Sequence, residues 1–124
     1  MNILVDTDVL IDYSKSRDKV LDSLRDSDHQ LYLSPINVAE FLNNRNIISN
    51  PRRQEQADEF VSSFRVANIN IQTAKLAGLI LRSVNNSYLG DAFIAAVCVE
   101  NNFQLLTRNK KHFEKIKGLK LYSV

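Results

Sequence analysis

Three carboxylates follow one another closely at the first apolar run of the chain, in the stretch ILVDTDVLID at residues 3–12. Asp6 ends the apolar run, and Asp8 and Asp12 come shortly after it. Carboxylates repel one another and resist transfer out of water. Either solvent screens these groups or a cation lies among them, and hard oxygen ligands of this kind favour Mg²⁺ or Mn²⁺.

Two further acids stand in apolar surroundings, and a hydroxyl and an amide follow another apolar run. Glu40 lies within PINVAEFL, Asp91 opens the nearly all-apolar segment GDAFIAAVCVENN, and the run FQLLTRN contains Thr107 and Asn109. Clustered carboxylates beside a hydroxyl are a donor set that suits metal-assisted hydrolysis, in which a bound metal activates water.

Each of these residues also has a purely structural interpretation. Asp6 could cap the following helix, Glu40 could lie on an exposed helix face, and Asp91 could be an acid favoured by a helix dipole. Thr107 and Asn109 could form a turn in which the asparagine caps the last helix. The interpretation as one site therefore depends on the fold bringing all five residues together.

Short apolar runs alternate along the chain with segments of helical periodicity. The predicted strands are residues 2–6, 30–34, 66–71, 103–107 and 119–124. The predicted helices are 8–15, 17–27, 35–44, 51–65, 73–84, 90–102 and 110–116, with N-cap signals at Ser34-Pro35 and Asn50-Pro51. This alternation predicts a three-layer α/β/α fold with a mainly parallel central sheet. Ligands of such sheets bind at the carboxyl ends of the strands, where Asp6 and Thr107 fall.

Length and composition favour one domain over residues 1–124, because a chain of 124 residues leaves little room for a second. No apolar run approaches the roughly 18–20 residues of a membrane span, and we see no secretory signal. Cys98 is the only cysteine and lies in an apolar run, which predicts a buried structural thiol. These features predict a cytoplasmic protein without a membrane partner.

The basic residues concentrate near the end of the sequence. Residues 1–102 carry 10 Lys/Arg and 13 Asp/Glu, a net charge of −3, whereas residues 103–124 carry six Lys/Arg and one Glu, a net charge of +5. A basic segment beside an acidic body favours either a polyanionic partner or a solvated surface. Arg108, Lys110 and Lys111 flank Asn109, so they are candidates for holding the phosphates of a polyanionic partner beside the acids.

Three segments together give the chain a family resemblance. ILVDTDVLID, SPINVAEFL and GDAFIAAVCVENNFQLLTRNKKHFEKIKGLKL contain four motifs in the order found in the PIN-domain ribonucleases. The sequence resembles in particular the VapC-type toxins of bacterial toxin–antitoxin pairs. This resemblance spans nearly the whole chain and implies a PIN-like fold and a metal-dependent endoribonuclease.

The resemblance also implies a role for each candidate residue. Asp6, Glu40 and Asp91 match the family's first three acidic positions, which bind Mg²⁺ or Mn²⁺. Asn109 occupies the fourth position, which is often Asp, and leaves one charge fewer for a second metal. Thr107 matches a hydroxyl position that orients a carboxylate or the attacking water, and Thr7 matches another. Asp8 stands where Asn or Ser is more usual, and is either an outer ligand or turned away.

The partners that the resemblance implies are RNA, a cognate antitoxin protein and a second copy of the chain in a homodimer. The family's substrates include transfer RNA and ribosomal RNA, and composition does not choose between them. Three other interpretations stay open. One is a PIN-like module that binds RNA or protein and cuts weakly, one is a nuclease acting on DNA flaps, and one is a phosphotransfer receiver domain.

Overall fold

The computed structural model of the chain describes residues 1–15, 20–45 and 49–123. Its strands are β1 (Asn2–Val5), β2 (Gln30–Leu33), β3 (Arg65–Val66), β4 (Gln104–Leu106) and β5 (Lys120–Leu121). Its helices are α1 (Thr7–Ser14), α2 (Val20–Arg25), α3 (Pro35–Leu42), α4 (Pro51–Ser62), α5 (Ile71–Ser83), α6 (Leu89–Asn101) and α7 (Lys110–Phe113).

The strands form one parallel sheet in the order β3-β2-β1-β4-β5. Strand β1 is central and pairs with both β2 and β4, with Val5 opposite Leu106. The residues that follow β1 and β4 in the chain therefore meet at the same edge of the sheet. This register brings Asp6 beside Thr107.

Helices cover both faces of the sheet because the strand residues alternate between two cores. Ile3 and Val5 pack into a buried cluster to which α1, α2, α3 and α4 contribute. Leu4 and Leu105 point the other way, into a cluster formed mainly by α5, α6 and α7. The predicted three-layer α/β/α fold with a mainly parallel sheet is confirmed.

Two predicted local features are also confirmed. Ser34 and Asn50 are the N-caps of α3 and α4, and each accepts a hydrogen bond from a backbone N–H of the first turn, with proline at the first helical position. Cys98 is completely buried in α6, and this burial raises the pKa of its thiol. No helix of the described part of the chain is long and apolar enough to cross a membrane.

The predicted strand over 66–71 is wrong in most of its extent. Only Arg65 and Val66 form β3, because the Asn70 side chain accepts hydrogen bonds from the backbone of Gln72 and Thr73 and so starts α5 at Ile71. Within the described residues, α7 and β5 are also shorter than predicted. Residues 17–19 of the predicted second helix and residue 124 of the predicted last strand lie outside the described residues.

Candidate active site

The centre of the candidate site is Asp6, which lies between the ends of β1 and β4. One carboxylate oxygen, Oδ1, accepts a hydrogen bond of 2.8 Å from the backbone N–H of Thr7, so Asp6 caps α1 as one interpretation predicted. The other oxygen, Oδ2, accepts a hydrogen bond of 2.7 Å from the Thr107 hydroxyl. These two bonds hold the carboxylate in one orientation, and the residue is only 6% exposed.

Burial makes the ionised form of Asp6 costly. The pKa of Asp6 is raised from its ordinary value of 3.8 to about 7, and burial is the largest cause of this shift. The neighbouring carboxylate of Asp8 raises the pKa further, and that of Asp91 adds a smaller contribution. The hydrogen bonds from Thr107 and Thr7 act in the opposite direction. A positive charge among these carboxylates would therefore favour their ionised forms.

Glu40 reaches the same edge of the sheet from α3. Its Oε1 atom accepts a hydrogen bond of 2.7 Å from the Thr7 hydroxyl, and that hydroxyl lies 3.3 Å from the Asn37 side-chain amide, which donates to it. Asn37 is fully buried and also accepts hydrogen bonds from Ser34 at the start of α3. A polar chain therefore connects the N-cap of α3 to Glu40.

Asn37 is a site residue that the sequence analysis missed. It lies three residues before Glu40 in the same helix, so the two side chains share one helix face. The signal that could have revealed it is its place three residues after the N-cap Ser34, where a polar side chain completes a capping box.

Gly90 gives Glu40 room beside the start of α6. A Cβ atom at this position would lie 3.0 Å from the Glu40 Oε2 atom, which is closer than ordinary contact. Glu40 therefore lies directly beside the residue that precedes Asp91. The role of Gly90 could not be read from the sequence, because nothing local distinguishes it from a glycine at a helix end.

Asp91 lies in the first turn of α6 and contacts α7. Its Oδ2 atom is 3.2 Å from Nδ1 of His112, whose side chain is 43% exposed. His112 therefore lies at the surface of the protein. Its contact with Asp91 was not foreseen, because the two residues come from different elements.

The two other acids of the first helix are oriented by the loop after β4. The Asp8 carboxylate accepts a hydrogen bond of 3.3 Å from the backbone N–H of Arg108, and burial is the main cause that raises the pKa of Asp8. The Asp12 carboxylate lies 2.6 Å from the Arg108 Nε atom in an ion pair. Asp8 thus faces the β4 end of the site, and Arg108 is directed toward α1.

The loop after β4 supplies the remaining candidates. The backbone N–H of Asn109 donates to the Thr107 hydroxyl at 3.0 Å, so this hydroxyl joins Asn109 to Asp6. Asn109 stands at the N-cap position of α7, but its side chain makes no capping hydrogen bond there. Lys110 and Lys111 follow it with exposed side chains. The structure thus brings all the predicted site residues to one edge of the sheet.

The donors suit a hard divalent cation, since the site is built mainly from carboxylate oxygens. In the described ranges, no group of three or more His, Cys, Asp and Glu side chains is already arranged around one point as metal ligands. Instead, the carboxylates of Asp6, Glu40 and Asp91 contact Thr107, Thr7 and His112. Metal binding would compete with these contacts.

Comparison with known proteins assigns this arrangement to a family. The chain matches the model of the PIN domain over residues 3–119. It is 33% identical to Ribonuclease VapC1 of Methanocaldococcus jannaschii, in a match that covers 97% of this chain and 86% of that protein. A toxin-antitoxin complex from Klebsiella pneumoniae contains a chain with 27% identity, a TM-score of 0.78 and coverage of 98% of this chain and 99% of that one.

The fold has a further match in DNA-bound VapBC from Salmonella typhimurium, with a TM-score of 0.82, 19% identity and coverage of 98% of this chain and 97% of that one. The chain therefore belongs to the PIN-domain family. The resemblance to VapC-type proteins is confirmed. The roles of the individual site residues stay predictions.

Proposed function

We propose that this chain is a metal-dependent endoribonuclease and the toxin component of a toxin–antitoxin pair. It acts as a single nuclease domain on structured RNA, either transfer RNA or ribosomal RNA, and the cytoplasm is the compartment that supplies this substrate. The observation that carries the proposal is a buried Asp6, with its pKa raised to about 7, at a sheet edge that it shares with Glu40 and Asp91. The relatives named Ribonuclease VapC support the choice of RNA as substrate.

Asp6, Glu40 and Asp91 are the residues that we propose to hold Mg²⁺ or Mn²⁺. A bound metal of this kind lowers the pKa of a water ligand and offsets the charge that develops on the phosphate. Thr107 keeps the Asp6 carboxylate in position through its hydrogen bond, and the backbone N–H of Asn109 in turn donates to the Thr107 hydroxyl. We propose that the side-chain amide of Asn109 adds a neutral oxygen to the site. Thr7 and Asn37 orient Glu40.

The basic residues after β4 provide the surface for the RNA backbone. Lys110 and Lys111 are exposed next to Asn109, so their ammonium groups can approach phosphates that enter the acidic edge. Arg108 contributes positive charge at the same position, although its guanidinium is shared with Asp12. Contacts of this kind make RNA binding fall steeply with salt.

The antitoxin is the second partner, and a groove between α1, α3 and α4 is a suitable place for it. This cavity has a volume of about 410 Å³, and its walls include Tyr13, Phe41, Phe60, Lys15 and Arg53. The rings of Tyr13 and Phe41 lie 5.3 and 5.6 Å from that of Phe60, which forms an aromatic floor. Such a floor suits the apolar face of a partner segment. A homodimer of the toxin completes the proposed assembly.

The decisive experiment is cleavage of total bacterial RNA by the purified chain, free of antitoxin, with Mn²⁺ or Mg²⁺. The expected result is a discrete fragment whose ends identify the RNA. Asp6→Asn protein and EDTA are the controls, and neither should yield the fragment. A fragment that persists in both controls would point to a contaminating nuclease.

The second candidate function is a PIN-like module that binds RNA or protein and cuts weakly. The observation that favours it is Asn109, because this amide replaces a fourth carboxylate and reduces the negative charge available to a second metal. RNA binding without cleavage by the folded chain, in several RNA preparations and with both metals, would select this function over the nuclease.

A further inference from the structure

Two aromatic rings lie exposed at the rim of the candidate site. Tyr88 is 63% exposed and immediately precedes α6, the helix that carries Asp91. Its ring centroid is 5.6 Å from that of His112, with an angle of 40° between the ring planes. The His112 ring is in turn 3.2 Å from Asp91. The two rings therefore form one surface that borders a candidate metal ligand.

The packing of the protein does not account for the Tyr88 side chain. Tyr88 is the N-cap residue of α6, but its side chain makes no capping hydrogen bond, and the helix uses only its backbone carbonyl, which accepts from Ala92. Leu89 beside it is also 62% exposed. Single exposed apolar residues are common on protein surfaces. A tyrosine ring that is paired with a second ring beside an acidic site requires a more specific explanation.

We infer that Tyr88 and His112 form a stacking platform for a nucleobase of the RNA, next to the position at which the backbone is cut. The inference rests on the proposed ribonuclease function and adds a base-binding surface to it. Single-stranded RNA is held mainly by bases that stack on aromatic rings and by phosphates that meet cations. Here the rings adjoin Lys110 and Lys111, which are exposed on the same short helix as His112.

The geometry also sets the place of the base relative to the acids. Because Nδ1 of His112 lies 3.2 Å from the Asp91 carboxylate, the imidazole is held at the edge of the acidic cluster. A base that stacks on this pair is therefore attached to a nucleotide close to Asp91. Since every base has a π-face, the platform contributes affinity and sets which nucleotide lies beside Asp91, but it does not select strongly for one base.

The absence of tryptophan from the sequence makes a direct test possible. Tyr88→Trp introduces one fluorophore at the platform, and the probes are a ten-nucleotide oligo(A) and an abasic ribose-phosphate chain of equal length, both in EDTA to prevent cleavage. We expect oligo(A) to quench the fluorescence and the abasic chain to leave it unchanged. Asp28→Trp is the matched control, because Asp28 is an exposed turn residue that precedes β2. It therefore lies at the amino ends of the strands, away from the candidate site at their carboxyl ends. The control variant should show no quenching.

Affinity measurements distinguish the contribution of the Tyr88 ring from that of its hydroxyl group. Tyr88→Ala should weaken oligo(A) binding by about 5- to 150-fold, the range of a lost base–aromatic stack, while binding of the abasic chain stays the same. Tyr88→Phe should keep the affinity of the parent chain. Thermal unfolding of each variant shows whether it is folded. If Tyr88→Ala does not fold, the fluorescence of Tyr88→Trp still tests the site.

Three outcomes would overturn the inference. If the parent chain and Tyr88→Ala bind oligo(A) equally, Tyr88 does not stack on a base, and the ribonuclease proposal is unaffected. If Tyr88→Ala forms a smaller oligomer than the parent chain, the Tyr88 ring contacts another protein chain and not a base. Failure of the folded parent chain to bind oligo(A) at low salt would contradict the platform, whereas the proposed ribonuclease function is tested separately by cleavage of total RNA with metal.

Discussion

The buried charge of Asp6 leads to a quantitative prediction about stability. Its pKa is raised from 3.8 to about 7 in the folded chain, chiefly by burial. Between these two pH values the folded chain keeps a proton that the unfolded chain releases, so the stability of the metal-free protein falls as pH rises through this window. The full effect is about 4 kcal/mol, of which about 2–3 kcal/mol falls between pH 5 and pH 8.

Asp6→Asn removes this titration while it keeps the shape of the side chain. The free energy of unfolding of the variant, relative to that of the parent chain, should therefore rise by about 2–3 kcal/mol between pH 5 and pH 8. The variant loses part of the hydrogen bonding with Thr107, which lowers its stability by about 1 kcal/mol at every pH and so leaves the pH trend unchanged.

The assay is urea unfolding of both proteins at pH 5, 6, 7 and 8 in EDTA. Asp28→Asn is the matched control, because it removes the same charge from an exposed turn and should follow the parent chain at every pH. A stability difference between Asp6→Asn and the parent chain that is constant from pH 5 to pH 8 would refute the reasoning. At pH 8, Mg²⁺ should raise the melting temperature of the parent chain and have little effect on Asp6→Asn.

Three further predictions concern the surroundings of the acids. Gly90→Ala should reduce RNA cleavage at least tenfold with little loss of stability, because the new Cβ lies 3.0 Å from the movable end of Glu40; undiminished cleavage would contradict this role. Thr107→Val should lower the free energy of unfolding by about 1–3 kcal/mol in urea titrations and also reduce cleavage, because its hydroxyl both donates and accepts a hydrogen bond; unchanged unfolding would contradict this. Replacing both Lys110 and Lys111 by alanine should reduce the salt slope of RNA affinity by about 1–2, and an unchanged slope would locate the RNA backbone elsewhere.

Local patterns in the sequence predicted the elements of this fold well. Apolar runs identified the strands around Asp6 and Thr107, and the pairs Ser34-Pro35 and Asn50-Pro51 marked two helix starts that the structure confirms. The same kind of reasoning failed at residues 66–71. There the alternation of VANINI is typical of a strand, but the capping hydrogen bonds of Asn70 begin a helix instead.

The candidate site was predicted residue by residue, but the contacts within it were not. The sequence indicated Asp6, Glu40 and Asp91 through their apolar surroundings and their match to family motifs. It did not indicate that Asn37 supports Glu40 or that His112 contacts Asp91. The first of these contacts passes through the Thr7 hydroxyl, which comes from a different helix.

By itself, the sequence determined which side chains are available and which local segments carry them, because caps and hydrophobic periodicity depend on residues only a few positions apart. The tertiary structure alone decided which of these side chains meet. Thr107 donates to Asp6 across 101 positions of the chain, a contact that depends on the parallel register of β1 and β4. Burial follows from the same packing, so the raised pKa of Asp6 is a property of the folded chain that no local pattern contains.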